Sequence, residues 1–363
     1  MKRKKVTMND VSRLANVSQS TVSMILGKKR DLSLFPQSTV NKVIEAAQQL
    51  NYRPKESIIK QPNNKPDNKT ILVVAVKMTR QDYSGMLQAI EIDAFENGYN
   101  VLTCNTYHNP SIEERYLQFA VEEKFSGIIY IYPPDNLPAF NEVKDKIPII
   151  TICDSNTNFN ADIVEINNYQ IGIISVRHLL DLGHKHVAFL TYPINETLSR
   201  IGRFEGIKAE LAKDNLLENL TVCVKNTPSN EILGNNDYEF HAGEELANDK
   251  CLLENNVTGI ICVNDMLALG VMSQLLKSGH KIPRDFSVIG FGNLFFDNYL
   301  SVPLTTVDPY MTLAAHSAFE ILMHKIKIFS SDNNLQNLAV KFKTECTPKL
   351  IIRKSTGPIR INN

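Results

Sequence analysis

The sequence predicts a small all-α head of the helix-turn-helix type, joined by a linker to a two-lobed α/β core with parallel sheets. Three observations carry that prediction. A pair of short capped helices occupies Val6 to Leu26; from Thr70 onward, apolar runs of strand length alternate with helical stretches; and charge is divided between the two parts. Residues 1–69 hold 14 Lys and Arg against 5 Asp and Glu, and residues 70–363 hold 25 against 34. A formal charge of zero thus conceals a basic head on an acidic body, the asymmetry expected when one end meets a polyanion.

In the helix pair, Thr7 with Asp10 three residues on forms a capping box for a helix from Thr7 or Met8 to Ala15. Val11, Leu14 and Ala15 give it one apolar face. Asn16 and Val17 turn the chain, and Ser18 is placed to cap Gln19 to Leu26, whose inward side is Val22, Ile25 and Leu26 and which Gly27 closes. Gln19, Ser20, Thr21, Ser23 and Met24 remain outward, a small uncharged surface suited to base edges and phosphates. Lys28 to Arg30 follow as a basic loop that either tracks phosphates or is a solvated charge run. A third helix starts at Pro36, with Thr39, Val43, Ala46, Ala47 and Leu50 as its stripe. Tyr52, Arg53 and Pro54 end the head, and QPNNKPDNK (residues 61–69) reads as linker.

The core then runs as strand Ile71 to Val76, helix Gly85 to Asn97, Val101 to Thr103, helix Ser111 to Lys124, Gly127 to Tyr132 and Ile147 to Cys153. After Asp162 the same alternation resumes: helix Tyr169 to Leu182, strand Val187 to Tyr192, helix Arg203 to Asp214, strand Thr221 to Val224, helix His241 to Asp249, strand Gly259 to Val263, helix Met266 to Lys277 and strand Ser287 to Phe291. Continuous apolar strands with crossover helices mean sheets covered on both faces, and a ligand would sit in the cleft at their carboxyl ends.

At 363 residues the chain exceeds one ordinary core, and 43% hydrophobic with 21% charged residues is an ordinary globular composition. No run reaches about 18 apolar residues, so no membrane span is expected. MKRKK is followed by polar VTMND rather than an apolar stretch, which argues against a secretion signal. Cys104, Cys153, Cys223, Cys251, Cys262 and Cys346 lack CxxC spacing and read as reduced core residues of a cytoplasmic protein.

Taken together, VTMNDVSRLANVSQSTVSMIL, LNYRP, LLDLGHKHVAFL, RFEGIKAEL, VNDMLALGVMSQLLKSGHKIPRDFSVIGF and PLTTVDP resemble, in order, the signatures of the LacI/GalR family of bacterial repressors. The resemblance covers nearly the whole chain. It implies a homodimer reading two half-sites of double-stranded operator DNA, and a periplasmic-binding-protein-like core that closes on a small effector, usually sugar-like. The candidate DNA contacts are Thr7, Ser18, Gln19, Ser20, Thr21, Ser23, Met24, Lys28, Lys29, Tyr52 and Arg53. The implied division is a head at 1–54, a hinge or linker at 55–69, a core at 70–354 and a tail at 355–363. Lobe one would take about 70–164 and 294–326, and lobe two about 165–293 and 327–354, with Pro303 to Pro309 returning the chain to the first lobe and the last strand, around Val340 to Ile352, completing the second.

The chain departs from the family in three places. Gln61, followed by Pro62, stands where the family inserts a leucine into the minor groove, with Ile58 and Ile59 before it; a flexible linker is favoured, with either isoleucine as a substitute wedge. Met24 replaces an arginine that reaches guanine, which predicts an altered base pair in the operator. In the core, the resemblance implies an effector site of Tyr83, Asp154, Arg203, Asn264, Gly292 and Asn293, the last two standing where an acidic residue is usual, and Asn167 replaces an aspartate. The expected effector is therefore phosphorylated, less polyhydroxylated or differently oriented. A lobe-bridging salt link between Asp154 and Arg203 is the structural alternative.

Rival classes are weaker. Gly290 and Gly292 lack the third glycine of a dinucleotide fingerprint, no acid, base and nucleophile constellation appears, and His184 and His186 read as structural rather than metal ligands. No enzyme activity, cofactor or metal is expected. A transport-type binding protein has no use for the head, and a regulator answering to a protein partner or to no ligand remains an alternative.

Overall fold

The computed structural model describes residues 7–26, 35–50, 52, 68–154, 161–226, 237–253, 255–331 and 341–359. Lys28, Lys29, Arg53, Ile58, Ile59 and Gln61 lie outside the described residues. The chain divides into two compact units, Met1–Pro66 and Asp67–Asn363.

The first unit holds α1 (Met8–Ala15), α2 (Gln19–Leu26) and α3 (Gln37–Gln49) around Val11, Ala15, Val22, Ile25, Val40, Val43, Ala46 and Ala47. The buried seam of α1 is Val11 to Ala15 at i, i+4, and this corrects the expected face: Leu14 is 49% exposed, while Ser12 turns inward and donates to the Asn9 carbonyl at 3.0 Å. On α3 the expected stripe of Val43, Ala46 and Ala47 is buried and Leu50 packs against it, and only its first position differs: Val40 is buried in place of the expected Thr39, which is half-buried.

The second unit is two α/β lobes. The first sheet contains β1 (Asn68–Ala75), β2 (Asn100–Asn105), β3 (Phe125–Tyr130), β4 (Ile149–Ile152), β5 (Asp162–Ile166) and β11 (Lys343–Cys346), in the order β11-β5-β4-β3-β1-β2. The second contains β6 (Val187–Thr191), β7 (Leu220–Val224), β8 (Gly259–Cys262), β9 (Ser287–Phe291), β10 (Thr305–Asp308) and β12 (Lys349–Ile351), in the order β12-β10-β9-β8-β6-β7. The helices are α4 (Gln81–Glu96), α5 (Pro110–Glu122), α6 (Leu137–Val143), α7 (Asn168–Asp181), α8 (Leu198–Lys213), α9 (Tyr238–Ala247), α10 (Lys250–Leu253), α11 (Asp265–Lys277) and α12 (Met311–Ser331). Strands β4, β6, β8 and β9 are buried end to end, as parallel strands covered on both faces must be.

The lobe boundaries differ from expectation near the C-terminus. Thr305, Thr306 and Val307 pair in parallel with Ile289, Gly290 and Phe291, so 294–308 belongs to the second lobe and the chain returns to the first only after Asp308. Lys343–Cys346 pairs with Ile163–Ile166 and completes the first sheet, whereas Lys349–Ile351 runs antiparallel to β10 in the second. Both last strands are short and largely exposed. Pairing partners, rather than hydrophobic pattern, decide where they go.

Candidate functional site

In the head, the Thr7 amide donates to Asp10 Oδ2 at 2.8 Å and the Asp10 amide to Thr7 Oγ1 at 3.4 Å, closing the capping box. Asn16 adopts the left-handed conformation, φ 51°, and redirects the chain into α2. Ser18 Oγ accepts from the Thr21 amide at 3.1 Å and lies 2.7 Å from Ser20 Oγ and 2.8 Å from Thr21 Oγ1, so three hydroxyls cluster at the helix start. Gln19, Ser20, Ser23 and Met24 are exposed and Thr21 half-buried, while Val22 and Ile25 hold the opposite side of the helix in the head's core. Tyr52 packs on that core, its amide donating to the Ala47 carbonyl at 2.8 Å.

In the second unit the chain passes between lobes three times: after β5, after β10 and between β11 and β12. Asp154 and Arg203 are joined through Asn168, which opens α7 just after the first of these crossings. Asp154, just past β4, accepts at Oδ1 from Asn168 Nδ2 at 2.6 Å; Asn168 Oδ1 accepts from Arg203 Nε at 2.7 Å; and Arg203 Nη1 donates to the Val263 carbonyl. The guanidinium also lies 3.5 Å from the centre of the Phe291 ring. One polar chain therefore runs from the first sheet, through the start of α7, to α8 and the end of β8. Burial pushes the Asp154 carboxyl upward, and Asn168 and Arg203 oppose that push. Arg203 reaches this position because α7 and α8 pack backbone to backbone. A Cβ on Gly172 would stand 2.1 Å from the Arg203 carbonyl oxygen, and one on Gly206 would stand 2.0 Å from that of Tyr169.

Asn264 caps α11 by accepting from the Leu267 amide at 2.8 Å, and its Nδ2 donates to Glu239 Oε1 at 2.9 Å. Tyr83 lies under the Arg80 guanidinium, 5.1 Å from ring centre to charge. Asn293 is held in the junction between the lobes: Nδ2 donates to Asp308 Oδ2 at 2.9 Å, and Oδ1 accepts from Arg353 Nη2 at 2.6 Å. Gly292 has φ +138° and faces Asp265, whose Oδ2 would be 2.9 Å from an added Cβ. An acidic side chain at that position would enter ground that Asp265 already occupies, which gives the glycine a local steric reason.

Several residues here had no sequence signal. Asn168 carries the link between Asp154 and Arg203, although an asparagine adjoining Asn167 is chemically mute until its neighbours are known. Tyr192 follows β6 as Asp154 follows β4. It is 4% exposed, and its hydroxyl has no hydrogen-bond partner among the described residues. Tyr238 lies 6.2 Å from it ring to ring, the Arg200 guanidinium is 5.8 Å from its ring centre, and Arg80 and Glu239 act on it electrostatically. Burial first, then Glu239, pushes the Tyr192 phenol up and keeps it a donor.

Two buried carboxyl groups stand behind this face. Asp265 accepts from Thr306 Oγ1 at 2.6 Å and from the Leu294 amide at 3.3 Å. Asp297 is fully buried, and neither of its carboxyl oxygens finds a hydrogen-bond partner among the described residues. Burial, and then the Asp265 charge, pushes Asp297 up to about 9. His184 is structural, as its motif suggested. Its ring nitrogens lie 2.9 Å from Thr258 Oγ1 and from Ser287 Oγ and 3.0 Å from the Gly357 carbonyl, and burial lowers its pKa. Among the described residues no group of three or more His, Cys, Asp or Glu is arranged for a metal ion, and no helix is long and apolar enough to cross a membrane.

Comparison with known proteins accords with this layout. A model of bacterial regulatory proteins of the lacI family matches residues 7–55, and a periplasmic binding protein-like domain matches residues 176–356. The HTH-type transcriptional repressor PurR of Actinobacillus pleuropneumoniae is 28% identical over 352 residues, covering 96% of this chain and 98% of the relative. PurR of Haemophilus influenzae is 27% identical over 356 residues, 97% and 99% of the two chains. Among solved structures, the Lac repressor dimer bound to operator and the anti-inducer ONPF superposes with a TM-score of 0.67 at 22% identity over 98% of this chain and 100% of the other. A LacI family regulator from Enterococcus faecium with bound ribose gives 0.67 at 22%, over 80% and 100%. Head and core together define a DNA-binding repressor with an effector-binding core, a class without enzymatic activity. The chain belongs to the LacI family of bacterial transcriptional regulators.

Proposed function

We propose that this repressor forms a homodimer, reads an operator through α2, and adjusts its operator affinity when a small sugar-like effector binds between the lobes. Gln19, Ser20, Thr21, Ser23 and Met24 face base edges, and Thr7, Ser18, Lys28, Lys29, Tyr52 and Arg53 meet the backbone. Ile58, Ile59 and Gln61 belong to the segment that joins the head to the core. The observation that carries the effector reading is the chain Asp154, Asn168, Arg203, which links the carboxyl end of one sheet to the other lobe. A ligand that competes for those bonds favours one lobe angle over another, and only such unequal binding can alter DNA affinity. Tyr83, Tyr192 and Asn264 complete the pocket, with Tyr192 donating to an acceptor on the ligand. Gly292 and Asn293 line the same site from the end of β9. Ribose and cellobiose in solved neighbours of the fold support a sugar-like ligand.

The test is thermal unfolding of the full chain against a panel of sugars and sugar phosphates. A ligand at about 100 times its Kd adds roughly 2.7 kcal/mol. The expected hit loses its effect in Asp154→Ala and alters operator affinity measured by fluorescence anisotropy. A hit that survives both Asp154→Ala and Arg203→Ala would place the effector elsewhere.

A further inference from the structure

Nothing in the spacing of the six cysteines pairs any two of them, yet the fold does. Cys223 lies on β7 and Cys251 on α10, and their Sγ atoms are 2.7 Å apart, well inside the contact distance of two non-bonded sulfur atoms. The two differ in access: Cys223 is 1% exposed, whereas Cys251 is half-buried. Cys104, Cys153, Cys262 and Cys346 are all buried.

We propose that Cys223 and Cys251 form an oxidation site that hydrogen peroxide closes to a disulfide and thiols reopen. Cys251, the accessible member, reacts first. Its thiolate attacks one peroxide oxygen, an S–O bond forms, the O–O bond breaks, and the departing hydroxide leaves as water after taking a proton. The Cys223 sulfur then attacks the Cys251 sulfenic acid. The S–S bond forms, the S–O bond breaks, and the Cys223 proton leaves with the hydroxyl as a second water. Two thiols are oxidised and one peroxide is reduced to two waters. Burial, and then the neighbouring Cys251 sulfur, pushes the Cys223 thiol up, which keeps it inert toward peroxide itself and suits it to the resolving role.

The cross-link would close the segment 223–251, which carries α9. Tyr238 and Glu239 lie in the first turn of α9, and Glu239 accepts from Asn264 at the end of β8. Oxidation thus ties the edge of the second sheet to the segment carrying the helix that faces the cleft. The chemistry does not depend on which effector, if any, the cleft holds.

Reduced full-length protein exposed to hydrogen peroxide, quenched, unfolded and alkylated should take up two fewer alkyl groups than untreated protein and yield a Cys223–Cys251 cross-linked peptide. Dithiothreitol should reverse the change. Because a disulfide restrains the unfolded chain, the oxidised form should also melt a few degrees higher. In Cys223→Ser the cross-link should be lost and dimedone should label Cys251; Cys251→Ala, a change at the half-buried position, should lose the cross-link without endangering the fold. The proposal is overturned if both thiols remain fully alkylatable after peroxide, or if wild-type Cys251 proceeds to sulfinic acid while Cys223 stays reduced.

Discussion

The two lobes share one strand order but bury charge in opposite ways. In the first, Glu113 is fully buried and its carboxylate accepts four hydrogen bonds, from the Tyr130 and Tyr132 hydroxyls at 3.0 and 2.9 Å and from the Asp135 and Asn136 amides at 3.1 and 3.3 Å. In the second, Asp265 and Asp297 are both buried, and among the described residues they receive fewer donors than they have acceptor positions and the Tyr192 hydroxyl has no partner. A buried polar group stabilises only what satisfies it. The first lobe is therefore built as a fixed platform, and the second carries protonation and bonding capacity that can respond to its surroundings.

The largest break in this comparison is Glu113→Ala, which strands the Tyr130 phenol and two amides around the vacated site and leaves the Tyr132 hydroxyl with Thr106 alone. Stability should fall by about 3–5 kcal/mol in chemical denaturation, the range for dismantling a buried charged network. A loss below about 1 kcal/mol would mean that water replaces the carboxylate and that the platform reading is wrong.

Next is proton linkage in the second lobe. The folded-state pKa of Asp297, up to about 9, lies above its unfolded value of about 4, so between those limits the native state holds a proton that the unfolded chain releases. Stability from this group is complete below about pH 4 and declines as pH rises towards 9, by at most about 1.4 kcal/mol per unit for one proton. After burial, the Asp265 charge is the next cause of the upward push on Asp297, and the Arg353 charge opposes such a push on both groups. In Asp297→Asn the decline should flatten, so that variant and wild type diverge most at alkaline pH in urea titrations. An unchanged slope would mean that Asp297 does not hold its proton in the folded state across this range.

The smallest effect separates two tyrosines. Tyr132→Phe removes bonds to Glu113 and Thr106 and should cost about 1 kcal/mol. Tyr192→Phe removes a hydroxyl with no partner among the described residues and should leave thermal stability within about 0.5 kcal/mol while weakening any effector-dependent shift. Equal losses in the two variants would show that both hydroxyls are satisfied.

The sequence made the strands and helices of the core legible because buried parallel strands write long apolar runs, and the head because capping residues act locally at fixed offsets. Asp154 and Arg203 were legible through the family resemblance. Asn168, Tyr192 and the cysteine pair were not, since each takes its meaning from a neighbour far along the chain. Cys223 and Cys251 are joined only because α10 folds back on β7, and β11 and β12 are recognisable only beside β5 and β10. Leu14 misled for the opposite reason. Hydrophobicity at roughly the right spacing suggested burial, but a two-turn helix presents one narrow seam, and Val11 with Ala15 fills it.

The placement of β11 and β12 at the far end of the chain has a consequence for synthesis. Neither lobe is a continuous stretch of polypeptide, and the strands that complete them, Lys343–Cys346 and Lys349–Ile351, emerge from the ribosome almost together. Domains made of contiguous sequence can mature one after another as they emerge. Here the head can mature early, but both lobes wait for the same few residues, so a ribosome that stalls before residue 343 releases a chain able to present a reading helix with neither half of its sensor closed.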